Sequence, residues 1–405
     1  MGKAFHNLRN GRGNGSGVMN VDQLRDLLPV TRDFVYMNTG WAGPTPSSVL
    51  RRIAETLEIE ARDGPASARG MEFTHGLQDE ARAAISAFLG ADDEDVILTH
   101  STREGVNVVV YGMDWKPGDE LLICDLEHPA LTVPGDVLAQ RMGVKVVSAN
   151  IPPLATQAEA LSAVASALTE KTKLVALSHI QFTCGLRMPI KEIAIAAHKM
   201  DIPVLVDGAQ SVGHVGVNMK NLDCDFYALS GQKWLMGPNG TGALYMSKER
   251  RDMLEPIFNT NELEANRHTE RSPLARFSLV SQSPSLLAGF LESVRIATDI
   301  GIGQIEERAM SLADLLRERV SPIEGCDLLS PTSPESACGL VTIGLDDWPP
   351  ADLVTALQER FNIVGRVVRD PAGVRFSTHF FNTEHEVDLV ADALVRLIDE
   401  GYSPE

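Results

Sequence analysis

Nowhere in the sequence does an apolar run approach the roughly 20 residues that a membrane-spanning helix needs, and its first residues lack the apolar core of a secretory signal. A soluble protein that is not exported is the expectation. The five cysteines, Cys124, Cys184, Cys224, Cys326 and Cys338, are scattered, with no CxxC pair and no histidine spacing that suggests zinc. They read as reduced thiols in a cytoplasmic protein, and no metal site is expected. Basic residues are also scarce: 36 Lys and Arg stand against 55 Asp and Glu, for a formal net charge of -19. Such a surface repels phosphate backbones and anionic lipid, so no nucleic acid and no membrane is expected as a partner. Internal repeats are missing too. Low complexity is confined to residues 1–18, rich in Gly, Asn and Arg, which read as a disordered arm.

What is present is an ordinary globular composition, 44% hydrophobic and 22% charged over 405 residues, enough for one large domain and a smaller one. Short apolar runs at 96–99, 120–124, 144–147, 174–178, 204–207, 225–229 and 242–245 alternate with helical patterns at 79–89, 158–168 and 190–199. Runs apolar on both faces at this spacing predict an α/β domain built on a mostly parallel sheet between helices. After about Pro284 the pattern becomes one long helical stretch over 286–320, strands over 339–345 and 373–377, and a last helix over 384–400. The reading is a large α/β domain over 19–284 and a smaller α+β domain over 285–405, to which the N-terminal segment also contributes.

In the run Val204-Leu205-Val206-Asp207-Gly208-Ala209-Gln210, a strand delivers an acid into a turn of small residues. Ligands of open α/β sheets bind outside the carboxyl ends of the strands. Asp207 therefore stands where a metal, a ribose hydroxyl or a protonated ring nitrogen is held, or it caps a helix. Lys233 follows the next strand, after Ser230-Gly231-Gln232 and before Gly237-Pro238-Asn239-Gly240, small residues that let a backbone pass close to a ligand. Farther upstream, Ser101-Thr102-Arg103-Glu104 opens a helix with hydroxyl and N–H donors suited to a phosphate, and Glu104 completes a capping box with Ser101.

From about Phe34 onward this order of motifs resembles the class V aminotransferase family of fold type I PLP enzymes, most of all its cysteine and cystine C–S lyase branch. The resemblance implies a seven-stranded sheet and pyridoxal 5'-phosphate as cofactor. It places Lys233 as the lysine that carries PLP as a Schiff base and Asp207 against the pyridine nitrogen. Gln210 falls to the phenolic oxygen, His128 to the ring face and to catalysis, and Ser101, Thr102 and Ser230 to the phosphate. Arg375 becomes the carboxylate-binding arginine of an amino-acid substrate, a task suited to a bidentate guanidinium. Arg366 and Arg369 are second candidates, and Asn38 and Trp41 border the substrate. The resemblance also implies a homodimer with shared active sites, in which Ser281 reaches the neighbour's phosphate.

Cysteine desulfurases of this family carry a nucleophilic cysteine shortly before the C-terminal arginine. Here that stretch reads Val364-Gly365-Arg366-Val367-Val368-Arg369-Asp370-Pro371, without a thiol. A persulfide mechanism lacks its nucleophile. The expectation is a C–S lyase that acts by β-elimination on cysteine, cystine or an S-substituted cysteine and releases a thiol or persulfide, pyruvate and ammonia. Class V transamination, epimerisation or a desulfurase-like reaction without the usual cysteine are the alternatives.

Overall fold

The structure, a computed structural model, describes residues 19–258, 274–279 and 281–402. The arm expected over 1–18 lies outside the described residues. Thirteen strands are described: β1 Val35–Tyr36, β2 Val96–Thr99, β3 Glu120–Cys124, β4 Lys145–Ala149, β5 Thr172–Ser178, β6 Val204–Asp207, β7 Phe226–Ser230, β8 Gly242–Met246, β9 Cys326–Leu328, β10 Leu340–Leu345, β11 Ile363–Val364, β12 Arg366–Arg369 and β13 Ala372–Ser377. Seven of them form the large sheet in the order β2-β8-β7-β6-β5-β3-β4, in which β8 alone runs antiparallel to its neighbours. Its central strands are apolar on both faces because helices cover both. Val175, Val204 and Val206 pack into one core, and Leu174, Leu205 and Phe226 into the other.

A four-stranded antiparallel sheet, β12-β13-β10-β9, makes the smaller layer, backed by the helices Ile302–Val320, Pro350–Phe361 and Glu384–Glu400. The chain's N-terminal stretch lies against this layer. β1 pairs in parallel with β11, Asn38 bridges Ser377, and Arg25 donates at 2.8 Å to the buried carboxylate of Glu386.

Several boundaries differ from the sequence reading. The long helix expected over 286–320 is two helices, Pro284–Ile300 and Ile302–Val320, broken where Gly301 takes φ 90°. The helix expected over 79–89 begins at Ala68, not Asp79, because Ser67 caps it through Gly70 N–H at 3.0 Å. The capping box expected of Ser101 and Glu104 is only half formed. Ser101 Oγ accepts from Glu104 N–H, but the carboxylate passes Ser101 and takes His100 N–H at 2.8 Å and the His100 ring at 2.7 Å. The imidazole offers a second contact that the capping position lacks.

Candidate active site

The carboxyl ends of β2, β3, β6 and β7 converge on a cavity of about 320 Å³. Its lining includes Ser101, Thr102, His128, Asp207, Gln210, Ser230, Lys233, Trp41, Arg366 and Arg375, so ten residues singled out in the sequence are brought together. At one end, the helix Thr102–Gly112 directs its first N–H groups into the space, with the partial positive charge of a helix start. The hydroxyls of Thr102 and Ser230 are buried beside it and have no hydrogen-bond partner. Buried polar atoms left unpaired are rare, and two hydroxyls at a helix start fit the oxygens of a phosphate.

At the floor, Asp207 Oδ1 accepts from Ala209 N–H at 2.9 Å. Burial raises its carboxyl above the ordinary range, and the nearby Lys233 charge opposes the rise. Gln210 spans one backbone and one side-chain neighbour: its Nε2 donates to the Gly40 carbonyl at 2.7 Å, and its Oε1 accepts from the Trp234 indole at 2.9 Å. His128 caps the helix Pro129–Met142, its Nδ1 accepting from Ala130 N–H at 3.1 Å, and its ring stands edge-on to Phe182 at 5.0 Å. Burial, with Lys233 and three arginines adding to it, pushes this imidazole down to about 4. It is neutral at physiological pH, and with Nδ1 accepting, its proton sits on Nε2.

Lys233 lies in a turn closed by Met236 N–H on the Lys233 carbonyl at 2.9 Å and by Gly237 N–H on the Gly231 carbonyl at 2.8 Å. Gly43 braces the turn from outside, donating to the Gln232 carbonyl at 2.7 Å. A Cβ at Gly43 would stand 2.2 Å from the Lys233 carbonyl oxygen, so no other residue fits. Burial pulls the Lys233 ammonium down to about 8, Asp207 pulling it up and Arg375 and Arg366 pushing it further down. A lysine in that range is part amine near neutrality, as a nucleophile and base must be.

Arg375 is wholly buried on β13 and bonds through Nη1 to the Phe182 carbonyl at 2.5 Å. Its Nε and Nη2 have no partner. Burial, with Arg366 beside it, pulls the guanidinium down to about 9. A buried cation with two free donors is a receptor for a carboxylate. Arg366 is half-buried, its guanidinium 4.5 Å over the Trp41 ring.

Three residues of the sequence reading stand outside this cavity. Arg369 is exposed and lines an adjoining space. Asn38 is buried one residue before Thr39-Gly40, with Oδ1 unpartnered. Ser281 is exposed, and its carbonyl accepts from the His100 ring at 3.1 Å. Glu127, by contrast, was not picked out as a site residue by its sequence context. This buried carboxylate accepts from Ser178 N–H at 2.9 Å, Ser178 Oγ at 2.5 Å and Gln181 Nε2 at 3.0 Å, and burial raises it to about 7. Its place directly before His128 is the one clue the sequence holds.

Comparison with known proteins matches the model of the family described as aminotransferase class-V to residues 36–390. A probable cysteine desulfurase from Methanothermobacter thermautotrophicus is 29% identical over 404 residues, covering 95% of this chain and 99% of the relative. An isopenicillin N epimerase from Streptomyces clavuligerus is 30% identical over 412 residues, covering 95% of this chain and all of the relative. Among solved structures, the cystine C–S lyase C-DES, in complex with its reaction product cysteine persulfide, superposes with a TM-score of 0.85 at 25% identity over 91% of this chain and 99% of the other. A C-DES variant carries glycine covalently linked to its PLP cofactor.

Proposed function

This chain belongs to the aminotransferase class-V family and is a PLP-dependent enzyme of cysteine desulfurase and C–S lyase kind, and we propose that it cleaves the C–S bond of a cysteine-type amino acid by β-elimination. The observation that carries this reading is a lining that combines a depressed lysine, a buried acid and an unpaired arginine, but holds no thiol. All five cysteines are outside the cavity, and burial pushes Cys338 up to about 11 and Cys184 and Cys326 up to about 12, with Cys124 and Cys224 raised as well. None of them is a thiolate near neutral pH.

PLP, when bound, withdraws electrons from the substrate α-carbon. In the proposed assignment Thr102, Ser230 and Ser101 hold its phosphate, Asp207 keeps its ring nitrogen protonated, Gln210 faces its phenolic oxygen and neutral His128 packs on its ring. Arg375 would receive the substrate α-carboxylate on its unpartnered Nε and Nη2. Lys233 anchors the cofactor, then takes the α-proton as an amine. Cβ–S cleavage sends the electron pair out with sulfur, which leaves as a thiolate and is protonated. With one water added, R–S–CH2–CH(NH3+)–COO− becomes R–SH, pyruvate and ammonium, with no net oxidation.

The test is product analysis on holoenzyme given cysteine, cystine and S-substituted cysteines. Thiol and pyruvate in equal amounts, lost in Lys233→Ala, are expected. Solvent deuterium at the α-carbon of unreacted substrate without pyruvate would instead identify epimerisation, the reaction named for the 30%-identical relative. We also propose a cytoplasmic homodimer in which Ser281 serves the neighbouring site; among the described residues no helix is long and apolar enough to cross a membrane. A fully active monomer on size exclusion would refute the dimer.

A further inference from the structure

Beside the first chamber lies a second of about 460 Å³, which the proposed reaction does not use. The two share His128, Phe182 and Arg366, so they meet across one wall. On the far side of that wall stand Leu126, Pro129, Val367 and Val368, with Leu126 and Val368 almost wholly buried. Glu127 also borders the space, but its oxygens are taken by Ser178 and Gln181, so it presents little charge there. Thr183 adds a buried hydroxyl with no partner. Charged groups stand at the rim, where Asp125, Arg369 and Asp370 are exposed.

We infer that the second chamber receives the sulfur substituent of the substrate, and that the enzyme acts on S-alkyl or S-aryl cysteines in preference to cysteine itself. This rests on the C–S lyase reading. Ligand pockets span about 300–1,000 Å³, and the first chamber, at the bottom of that range, must already hold the cofactor. Arg375 and Lys233 fix the carboxylate and α-carbon inside it. A free thiol ends at the sulfur and leaves the apolar walls beyond the shared partition facing water. An apolar substituent passing between Phe182 and Arg366 covers them, at a gain of roughly four-fold in affinity for each methylene buried.

The test measures binding and turnover separately, using holoenzyme with cysteine and with S-methyl-, S-butyl- and S-benzylcysteine. Dissociation constants are read from the change in the cofactor's visible absorption, and turnover from pyruvate. Affinity should rise about ten-fold or more from S-methyl to S-benzyl, and Val368→Trp, which fills the chamber, should bring the benzyl-to-methyl ratio toward one. Should that variant not fold, the smaller filling Val368→Phe, on the same face of β12 as Arg366, serves the same purpose. A flat or falling series, or a ratio unchanged in the filled variant, overturns the inference. Rising affinity without pyruvate from any compound upholds the chamber and refutes the lyase reading. Pyruvate with a flat series does the reverse.

Discussion

The indole N–H of Trp234 donates to Gln210 Oε1 at 2.9 Å, while the Gly40 carbonyl accepts from Gln210 Nε2 at 2.7 Å. A group that can only donate and one that can only accept together fix which way the amide faces. Trp234 is itself held flat against His214, ring to ring at 3.6 Å, and His214 is fixed by the Gln210 carbonyl and Gly339 N–H, each at 2.9 Å. The second hydrogen of Gln210 Nε2 is thereby left free for the phenolic oxygen in the proposed assignment. Trp234→Phe keeps a ring over His214 but frees the amide. The pH at which the holoenzyme's visible band titrates should rise by about half a unit to one unit, the equivalent of one modest hydrogen bond. Gln210→Met should give the same shift, with no further change when the two are combined.

Asp207 is the group that holds the Lys233 pKa up against burial. In Asp207→Asn the lysine should titrate below its present value of about 8. The pH dependence of amine acylation in apoprotein, followed by peptide mass, reports that shift directly.

Arg375 carries a conflict between stability and recognition. Its charge is buried without an acid, which is costly, yet its free Nε and Nη2 are what a carboxylate needs. Arg375→Met should raise the melting temperature of the free protein. It should also lower kcat/KM by about 100-fold, as expected for two charge-assisted hydrogen bonds of roughly 1.5 kcal/mol each. A variant that loses both stability and activity would show that the arginine is mainly structural.

Two glycines should respond oppositely to the same change. Gly43→Ala drives a methyl against the Lys233 carbonyl and should cost about 1–3 kcal/mol in urea unfolding, with weakened cofactor retention. Gly76, within the helix Ala68–Leu89, has nothing within 4 Å of a Cβ, so Gly76→Ala should stabilise by up to about 1 kcal/mol.

Acid should unfold this protein through its histidines. Burial pulls His179 and His214 down to about 3 and His379 to about 4, so all three fold in the neutral form. In the unfolded chain they bind protons near pH 6.5, so stability is full above that pH and falls as pH drops toward 3 to 4. Each contributes up to about 1.4 kcal/mol per pH unit in that window. Glu127, raised to about 7, acts with the opposite sign between pH 4.5 and 7. His179→Gln should therefore flatten the loss of urea stability between pH 6.5 and 5, and Glu127→Gln should steepen it.

The large sheet was legible because its strands are buried on both faces and read as plain apolar runs, such as Val204-Leu205-Val206. β12 was not, since Arg366-Val367-Val368-Arg369 carries charge at both ends of an edge strand. The break at Gly301 was hidden because the apolar pattern continues through it. Asp207, Lys233 and Arg375 could be picked out because their chemistry is local to a motif. The role of Glu127 depends on Ser178 and Gln181, far along the chain, and the second chamber is assembled from the segments 125–129, 182–183 and 366–370. No spacing in the sequence encodes that meeting.

The pairing of β1 with β11, and of Asn38 with Ser377, has a consequence for the newborn chain. A ribosome makes Val35–Gly43 early and their partners near 363–377 among the last. Until those partners emerge, the segment that braces the lysine turn through Gly43 lacks its sheet pairing. The brace on the lysine turn therefore gains its own sheet support only when synthesis is almost finished.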